Sequence, residues 1–243
     1  MDAWIRLAVG CLVLAGIAVA VLRVTGTGHH RMVVVASVRA ALQLAVVAAA
    51  LRGVFAAPLA VVGVVAIMFG VACWTATRRI GDLAGAASAV VLSCAAGALV
   101  SVGLIVGAPV LDRSVRDLVA VSGIVIGGTM TAATLAGRRL IDGIRRRRDE
   151  IEAWLAIGAT PRQAVREIAR TAAGEALVPA LDQTRTVGLV TLPGAFVGAL
   201  LGGVGAAGAA RFQLAVLIGL LCAESITVTV LVYRLGAPDV LID

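Results

Sequence analysis

The chain has 243 residues, of which 60% are hydrophobic and 14% are charged, with a net charge of +7 and a mean hydropathy of +1.04. Soluble domains carry charge on about a quarter of their residues, so this composition excludes an ordinary soluble protein. Apolar runs of about twenty residues recur, and each is long enough to cross a hydrocarbon core of about 30 Å. The sequence therefore predicts an all-α, polytopic membrane protein with a single permease domain over residues 1–243.

Seven of these apolar runs are the predicted transmembrane helices. They cover about Trp4–Leu22, Met32–Leu51, Val54–Trp74, Leu83–Ala108, Leu118–Leu135, Thr186–Val204 and Phe212–Tyr233. Every basic side chain other than histidine is arginine, and basic residues of membrane proteins concentrate on the cytoplasmic side. The charge therefore predicts topology rather than nucleic-acid binding. We expect a location in the inner (cell) membrane, with the N-terminus outside, and the C-terminus and the arginine-rich loop at about 141–171 in the cytoplasm.

The second predicted span contains Arg39 and Gln43, which lie one helical turn apart and share a face. A charge in mid-membrane costs roughly 2.5–3.5 kcal/mol, so such residues normally face the bundle interior or a water-filled path. The pair is therefore a candidate part of a transport pathway. A purely structural arginine is the alternative.

Glycines at four-residue intervals mark two later spans. Gly123 and Gly127 lie in the fifth span, and Gly194, Gly198 and Gly202 lie in the sixth. Small residues at this spacing let membrane helices approach closely. Both glycine sets are therefore predicted to pack helices together.

Five further polar or polarizable residues are candidates for the pathway. Thr129 and Met130 form a patch in the fifth span, and Glu224 is an ionisable residue in the middle of the seventh. Asp182 and Arg185 lie in a partly apolar stretch that we expect at the membrane interface. A carboxylate doubled across a dimer could bind a hard cation, whereas the arginine of the second span favours an anionic or chelated cargo. The carboxylate and the arginine therefore leave open whether the cargo is a cation or an anion.

The stretch Asp149–Arg170 is the one long polar interruption of the chain, and it predicts two short helices joined by a turn. Gly158 can take the left-handed conformation that ends a helix. Thr160 is a suitable N-cap, Pro161 suits the first helical position, and Gln163 completes a capping box. Such an elbow between membrane spans is shaped to fit a groove on another protein.

Motifs of catalysis are missing from the sequence. It contains no HExxH, GxSxG, P-loop or CxxC pattern. This favours a transporter subunit whose ATP-hydrolysing motor is a separate chain over an integral-membrane enzyme. A non-transporting membrane partner of an ATPase is the other alternative.

The elbow also resembles the loop by which permeases of ATP-binding-cassette (ABC) transporters dock on their ATPase subunits. The resemblance lies in Glu152 and Ala153, in Gly158 at the sixth position after the glutamate, and in Ile168 ten positions further. The pattern usually ends in Leu-Pro, and an Arg-Thr pair stands there in this chain.

Several longer motifs extend the resemblance beyond the elbow. They are RAALQL at Arg39–Leu44, GIVIGGTMTAATLAGRRL at Gly123–Leu140, EIEAWLAIGATPRQA at Glu150–Ala164, LVPALDQTRTVGLVTLPGAFVGALLGG at Leu177–Gly203 and ARFQLAVLIGLLCAES at Ala210–Ser225. With these motifs the chain is similar, from about residue 33 to 235, to the FetB-like family of iron-export ABC permeases. A plant branch of that family is linked to aluminium tolerance.

The resemblance implies a permease that forms a homodimer and docks two copies of a cytosolic ATP-binding subunit. ATP and Mg would be used by that partner, and this chain would bind no cofactor. The implied docking residues all lie in the elbow and are Glu152, Ala153, Trp154, Gly158, Thr160, Pro161 and Ile168. Bacterial members imply iron or another metal ion as exported cargo, whereas the plant branch implies an anionic sugar nucleotide.

Overall fold

The computed structural model describes residues 3–54, 58–81, 85–108, 111 and 114–236. These residues form helices joined by turns, with one isolated bridge between Val187 and Thr191. The helices are α1 (Ala3–Val24), α2 (His30–Val54), α3 (Pro58–Ile80), α4 (Ala86–Gly107), α5 (Val115–Arg146), α6 (Arg148–Ala156), α7 (Pro161–Thr186), α8 (Gly194–Leu201) and α9 (Ala206–Leu235). The predicted all-α class is confirmed.

Six of the described helices are long and apolar enough to cross a membrane. They lie at Ala3–Val24, His30–Ala49, Ala60–Ile80, Ala86–Gly107, Val115–Arg146 and Ala206–Leu235. The chain is therefore a multi-pass helical membrane protein. The predicted third span begins too early, because Val54 is the last residue of α2 and α3 begins at Pro58. The predicted start of the fourth span, Leu83, lies outside the described residues.

The predicted sixth span over Thr186–Val204 is wrong. Its residues form a tight turn followed by α8, whose eight residues are about 12 Å long and cannot cross a core of about 30 Å. Pro193 precedes this helix, and Gly203 follows it with a φ of 87°. An apolar run satisfied the length rule, but proline and left-handed glycines break the helix inside it.

The stretch around Asp182 is not a separate interfacial segment, because it is the second half of α7. This helix has 26 residues, runs through Pro179 and is about 39 Å long, so the second helix of the elbow is not short. Ala172, Ala176 and Ala180 recur at four-residue intervals and are buried. This small-residue face packs against the bundle and holds the helix together despite its proline.

The described structure divides into two compact units, residues 1–58 and 59–243. In the first unit, α1 and α2 pack against each other as a hairpin. Gly26 and Gly28 have positive φ values of 66° and 71°, which lets the chain reverse between the helices. The organisation of residues 1–243 as one permease domain stays a prediction.

In the second unit, α9 is central and packs against α4, α5, α7 and α8. The hydroxyl of Ser101 donates to the Gly219 carbonyl at 2.6 Å, and that of Thr227 donates to the Ser93 carbonyl at 3.3 Å. The residue numbers rise along α4 as they fall along α9, so these two helices are antiparallel.

The course of α7 is fixed by its contacts at two levels. Arg139 of α5 forms an ion pair with Glu175 of α7 at 3.0 Å, and Arg162 in the first turn of α7 donates to the Tyr233 hydroxyl in the last turn of α9 at 2.8 Å. Consequently α7 begins at the end of the bundle where α5 and α9 finish. It leads the chain toward the opposite end, where α9 begins.

Candidate functional site

A compact elbow, made of α6 and the first turns of α7, follows the end of α5. The φ of Gly158 is 90°, so the predicted left-handed glycine is confirmed. Its N–H donates to the Leu155 carbonyl at 3.0 Å, and the next N–H, of Ala159, donates to the Trp154 carbonyl at 3.0 Å. These bonds satisfy carbonyls at the end of α6 and turn the chain sharply toward α7.

The start of α7 has the capping box that the sequence predicts. The N–H of Thr160 donates to the Gln163 side-chain oxygen at 2.8 Å, and the Thr160 side chain faces the Gln163 N–H as the other half of the box. The Gln163 N–H also donates to the Thr160 carbonyl at 2.8 Å, which closes the first turn. Pro161 occupies the first turn, where a missing N–H leaves no helical bond unmade. The local sequence therefore fixes the angle between α6 and α7.

The elbow is anchored by buried isoleucines and exposes a mixed outer face. Ile151 and Ile168 are buried in the same apolar cluster as the end of α5. On the outer face, Glu152 and Ala153 are exposed, and so is Trp154, which is 48% exposed. Of the predicted docking residues, Ile168 thus holds the elbow in place, whereas these three form its accessible surface.

Two ion pairs stiffen the start of α6. Arg147 donates to both carboxylate oxygens of Glu150 at 2.7 Å, and Arg148 donates to Glu152 at 2.8 Å. The hydrogen bond from Arg147 holds the pKa of the Glu150 carboxyl below its ordinary value, and the bond from Arg148 to Glu152 raises the pKa of that guanidinium. Both shifts favour the charged forms of Glu150 and Arg148 at neutral pH.

A second group of predicted residues lies where α4, α5 and α9 meet. Glu224 of α9 is buried, with 7% of its surface exposed, and its carboxylate faces Gly128 of α5. Thr129 is fully buried, and its hydroxyl donates to the Ile126 carbonyl at 2.9 Å. No ion pair to the glutamate occurs among the described residues. A buried carboxylate without an ionic partner is a candidate site for transient binding of a transported cation.

The remaining pathway candidates lie elsewhere. Met130 is half-buried between the two apolar clusters of the second unit. Asp182 and Arg185 are exposed near the end of α7 and approach each other to 3.9 Å. Arg39 and Gln43 are exposed on α2 of the first unit. Of the seven candidates, the structure buries Glu224 against Gly128 and also buries Thr129, the next residue along α5, and the pathway role of all seven stays a prediction.

The predicted glycine seams lie mostly in open space. A Cβ at Gly123 would meet the Met68 methyl at 3.1 Å, whereas a Cβ at Gly127, Gly194 or Gly198 would meet no described residue of another turn or helix within 4 Å. The only close atoms around Gly202 are carbonyl oxygens of α8 itself. Their part in helix packing stays a prediction, which a second copy of the chain would have to fulfil.

Sequence reasoning missed the seam that the structure uses between α4 and α9. Ser93, Gly97 and Ser101 lie at four-residue intervals on α4, and all three are buried. Ser101 donates a hydrogen bond to α9 from this face and the Ser93 carbonyl accepts one, and Cys94 beside it approaches the Thr129 carbonyl at 3.7 Å. The spacing of small residues in the fourth span was the available signal.

Comparison with known proteins gives one consistent result. The family model described as "Uncharacterised protein family (UPF0014)" matches residues 4–237. The UPF0014 membrane protein slr1647 of Synechocystis is 35% identical over 91% of this chain and 89% of its own length. Protein ALUMINUM SENSITIVE 3 of Arabidopsis thaliana is 34% identical over 68% of this chain and 61% of its length. The probable iron export permease protein FetB of Escherichia coli is 28% identical over 80% of this chain and 76% of its length. No solved structure matches the chain.

Proposed function

The chain belongs to the UPF0014 family of membrane proteins, and we propose that it is the membrane-spanning permease subunit of an ABC transporter that exports a metal ion. A separate cytosolic ATP-binding subunit, which uses ATP and Mg, would dock on the elbow and drive transport. Two permease copies and two ATP-binding subunits would form the working transporter in the inner membrane. The relative named as a probable iron export permease supports iron as the first cargo to test.

The elbow is the single observation that carries the proposal. It projects Trp154 and Ile157, which are 48% and 76% exposed, beyond a buried anchor at Ile151 and Ile168. Large apolar side chains exposed next to charges mark a protein-binding surface. The buried anchor connects that surface directly to α5 and α7, so a push on the elbow would be transmitted to the bundle.

The buried carboxylate of Glu224 supports a cation as cargo. It lies among the hydroxyl-bearing helices α4, α5 and α9, and oxygen ligands suit hard cations. An anionic organic cargo such as a sugar nucleotide is the second candidate, and the exposed Arg39 in an apolar helix favours it. A membrane partner that transmits ATPase motion without transporting a cargo would need neither the Glu224 carboxylate nor the Arg39 guanidinium.

One experiment separates these functions. Cells with and without the permease and the ATP-binding protein that co-purifies with it are assayed for metal content and tolerance over several ions. The variants are Glu152→Arg on the elbow and Glu224→Gln in the bundle. The control is Asp142→Arg, which also replaces a carboxylate with a guanidinium, but at an exposed position of α5.

We expect Glu152→Arg to reduce retention of the ATP-binding protein and to abolish the metal phenotype, because it reverses the charge of the docking surface. Glu224→Gln should keep the partner and lose the phenotype, and Asp142→Arg should keep both. Failure of any ATP-binding protein to co-purify would refute the docking role. A phenotype that survives Glu224→Gln but not Arg39→Gln would support the anionic cargo instead.

A further inference from the structure

A groove of about 470 Å³ runs between the first three turns of α7 and the last two turns of α9. One wall carries Arg162, Arg166 and Arg170, which recur every four residues and therefore form a single stripe along α7. These three arginines and the apolar residues beneath them are here named the arginine groove. It lies on the α7 part of the elbow and includes none of the exposed residues of α6 at the elbow's tip.

The floor of the arginine groove is apolar. Val165 and Ala169 of α7 and Val232 of α9 line it, and Ala173 and Thr229 extend it along the two helices away from the elbow. Residue 229 lies further inside the candidate span of α9 than residue 233 does. The arginines therefore line the rim of the groove as far as Arg170, while its apolar floor continues toward the inside of the candidate span.

Tyr233 forms the mouth of the groove. The Arg162 guanidinium lies 4.2 Å from the centroid of its ring and also donates to its hydroxyl. Tyrosine is enriched at membrane–water interfaces, where its ring is apolar and its hydroxyl is hydrated. Such a ring is typical of the headgroup region, and its contact with Arg162 fixes that arginine at the mouth of the groove.

The other two arginines keep their charge available. Arg166 and Arg170 are exposed, and neither forms an ion pair within the part of the chain that the structure describes. A ligand that complements this groove needs an anionic group at the stripe and an apolar portion along the floor. A soluble phosphate lacks the apolar portion, and an acidic protein segment would have to enter the hydrocarbon to cover Ala173 and Thr229.

We propose that the arginine groove binds an anionic glycerophospholipid from the leaflet on the elbow side. The phosphate accepts hydrogen bonds from the arginine stripe, and an acyl chain covers Ala169, Ala173 and Val232. Basic pockets between membrane helices bind anionic headgroups by this chemistry. The lipid ties the start of α7 to the end of α9, and its binding does not require the ATP-binding subunit.

The test measures lipid binding to the purified full-length protein by native mass spectrometry. Phosphatidylglycerol is titrated against phosphatidylcholine with the same acyl chains and against glycerophosphoglycerol, which has none. The variant Arg166→Gln/Arg170→Gln is compared with Arg145→Gln/Arg146→Gln, which removes the same charge from exposed positions at the end of α5. All four changed residues are exposed, so both variants should elute and unfold like the unchanged protein.

We expect the unchanged protein to prefer phosphatidylglycerol. The groove variant should bind it roughly 30-fold more weakly, because each arginine near an anionic headgroup contributes about fivefold. The control variant should lose far less. Equal losses in the two variants, equal binding of phosphatidylcholine, or equal binding of the chain-free headgroup would each overturn the proposal. It would also fall if the groove variant kept its lipid but lost the ATP-binding subunit, since the groove would then be a protein-docking surface.

Discussion

Gly97 lets α4 and α9 approach more closely than any larger residue would allow. A Cβ at this position would overlap the Ala223 carbonyl oxygen and the Thr227 hydroxyl of α9. Gly128 makes the corresponding approach between α5 and α9, where a Cβ would meet Leu220 and the Glu224 carboxylate. In a bilayer, close packing of this kind replaces the hydrophobic effect as the force between helices.

Replacing Gly97 by alanine should therefore destabilise the bundle by about 1–3 kcal/mol, because backbone atoms of α9 must move to make room. Thermal unfolding of the purified protein in detergent measures the effect. Gly103→Ala is the matched control, since Gly103 lies on the same helix with no neighbour within 4 Å. An unfolding midpoint for Gly97→Ala equal to that of the control would contradict this packing.

The elbow is an element whose shape depends on one backbone conformation. The capping box sets where α7 begins, and the Arg147–Glu150 and Arg148–Glu152 pairs stiffen α6, but the angle between the helices is made at Gly158. Its φ of 90° is strained for any residue with a side chain. The proposed docking surface is consequently sensitive to a change that removes no contact at all.

We expect Gly158→Ala to cost about 1–2 kcal/mol locally and to loosen the elbow. Limited digestion with trypsin should then cut at Arg147 and Arg148 faster than in the unchanged protein. Gly174→Ala is the control, because Gly174 is an exposed helical residue of α7 with open space around it and alanine favours the helix. If both variants were cut at the same rate as the unchanged protein, the turn would not govern the elbow.

At the scale of the whole second unit, α7 connects the two ends of the bundle. The contact of Arg162 with Tyr233 places its start beside the end of α9, and α9 runs the full length of the bundle from Ala206. The chain must therefore pass from the elbow end to the opposite end between residues 162 and 206. Its charged residues lower the hydropathy of α7 below that of a transmembrane helix. Its face of small residues nevertheless packs against the bundle as the face of a transmembrane helix would.

This arrangement predicts that the elbow and the turn before α9 face opposite sides of the membrane. Single cysteines at Trp154 and Val204, both exposed, would be introduced after the native cysteines at 11, 73, 94 and 222 are replaced by alanine. A membrane-impermeant maleimide should label the first only from the cytoplasmic side and the second only from outside. Labelling of both from one side would show that α7 does not cross.

The sequence predicts some parts of the candidate site and not others. The elbow followed from Gly158, Thr160 and Gln163 because turns and caps depend on neighbours along the chain. The burial of Glu224 against Gly128 could be anticipated only in part, since hydropathy placed the carboxylate in the bilayer without naming what it faces. The arginine groove was not predicted, because its two walls are about seventy residues apart.

Composition and local patterning alone determined that this chain is a multi-pass helical membrane protein with a polar elbow. Lipid demands apolar helices of a certain length, and the residues that start and stop them lie next to each other in the sequence. Only the tertiary structure decided that Thr186–Val204 is not a span, that the stretch before it belongs to α7, and that α4 and α9 meet at Gly97. The last two outcomes depend on which distant faces pack together, and hydropathy carries no information about partners. The first depends on the backbone turns at Pro193 and Gly203, which an average of hydropathy does not register.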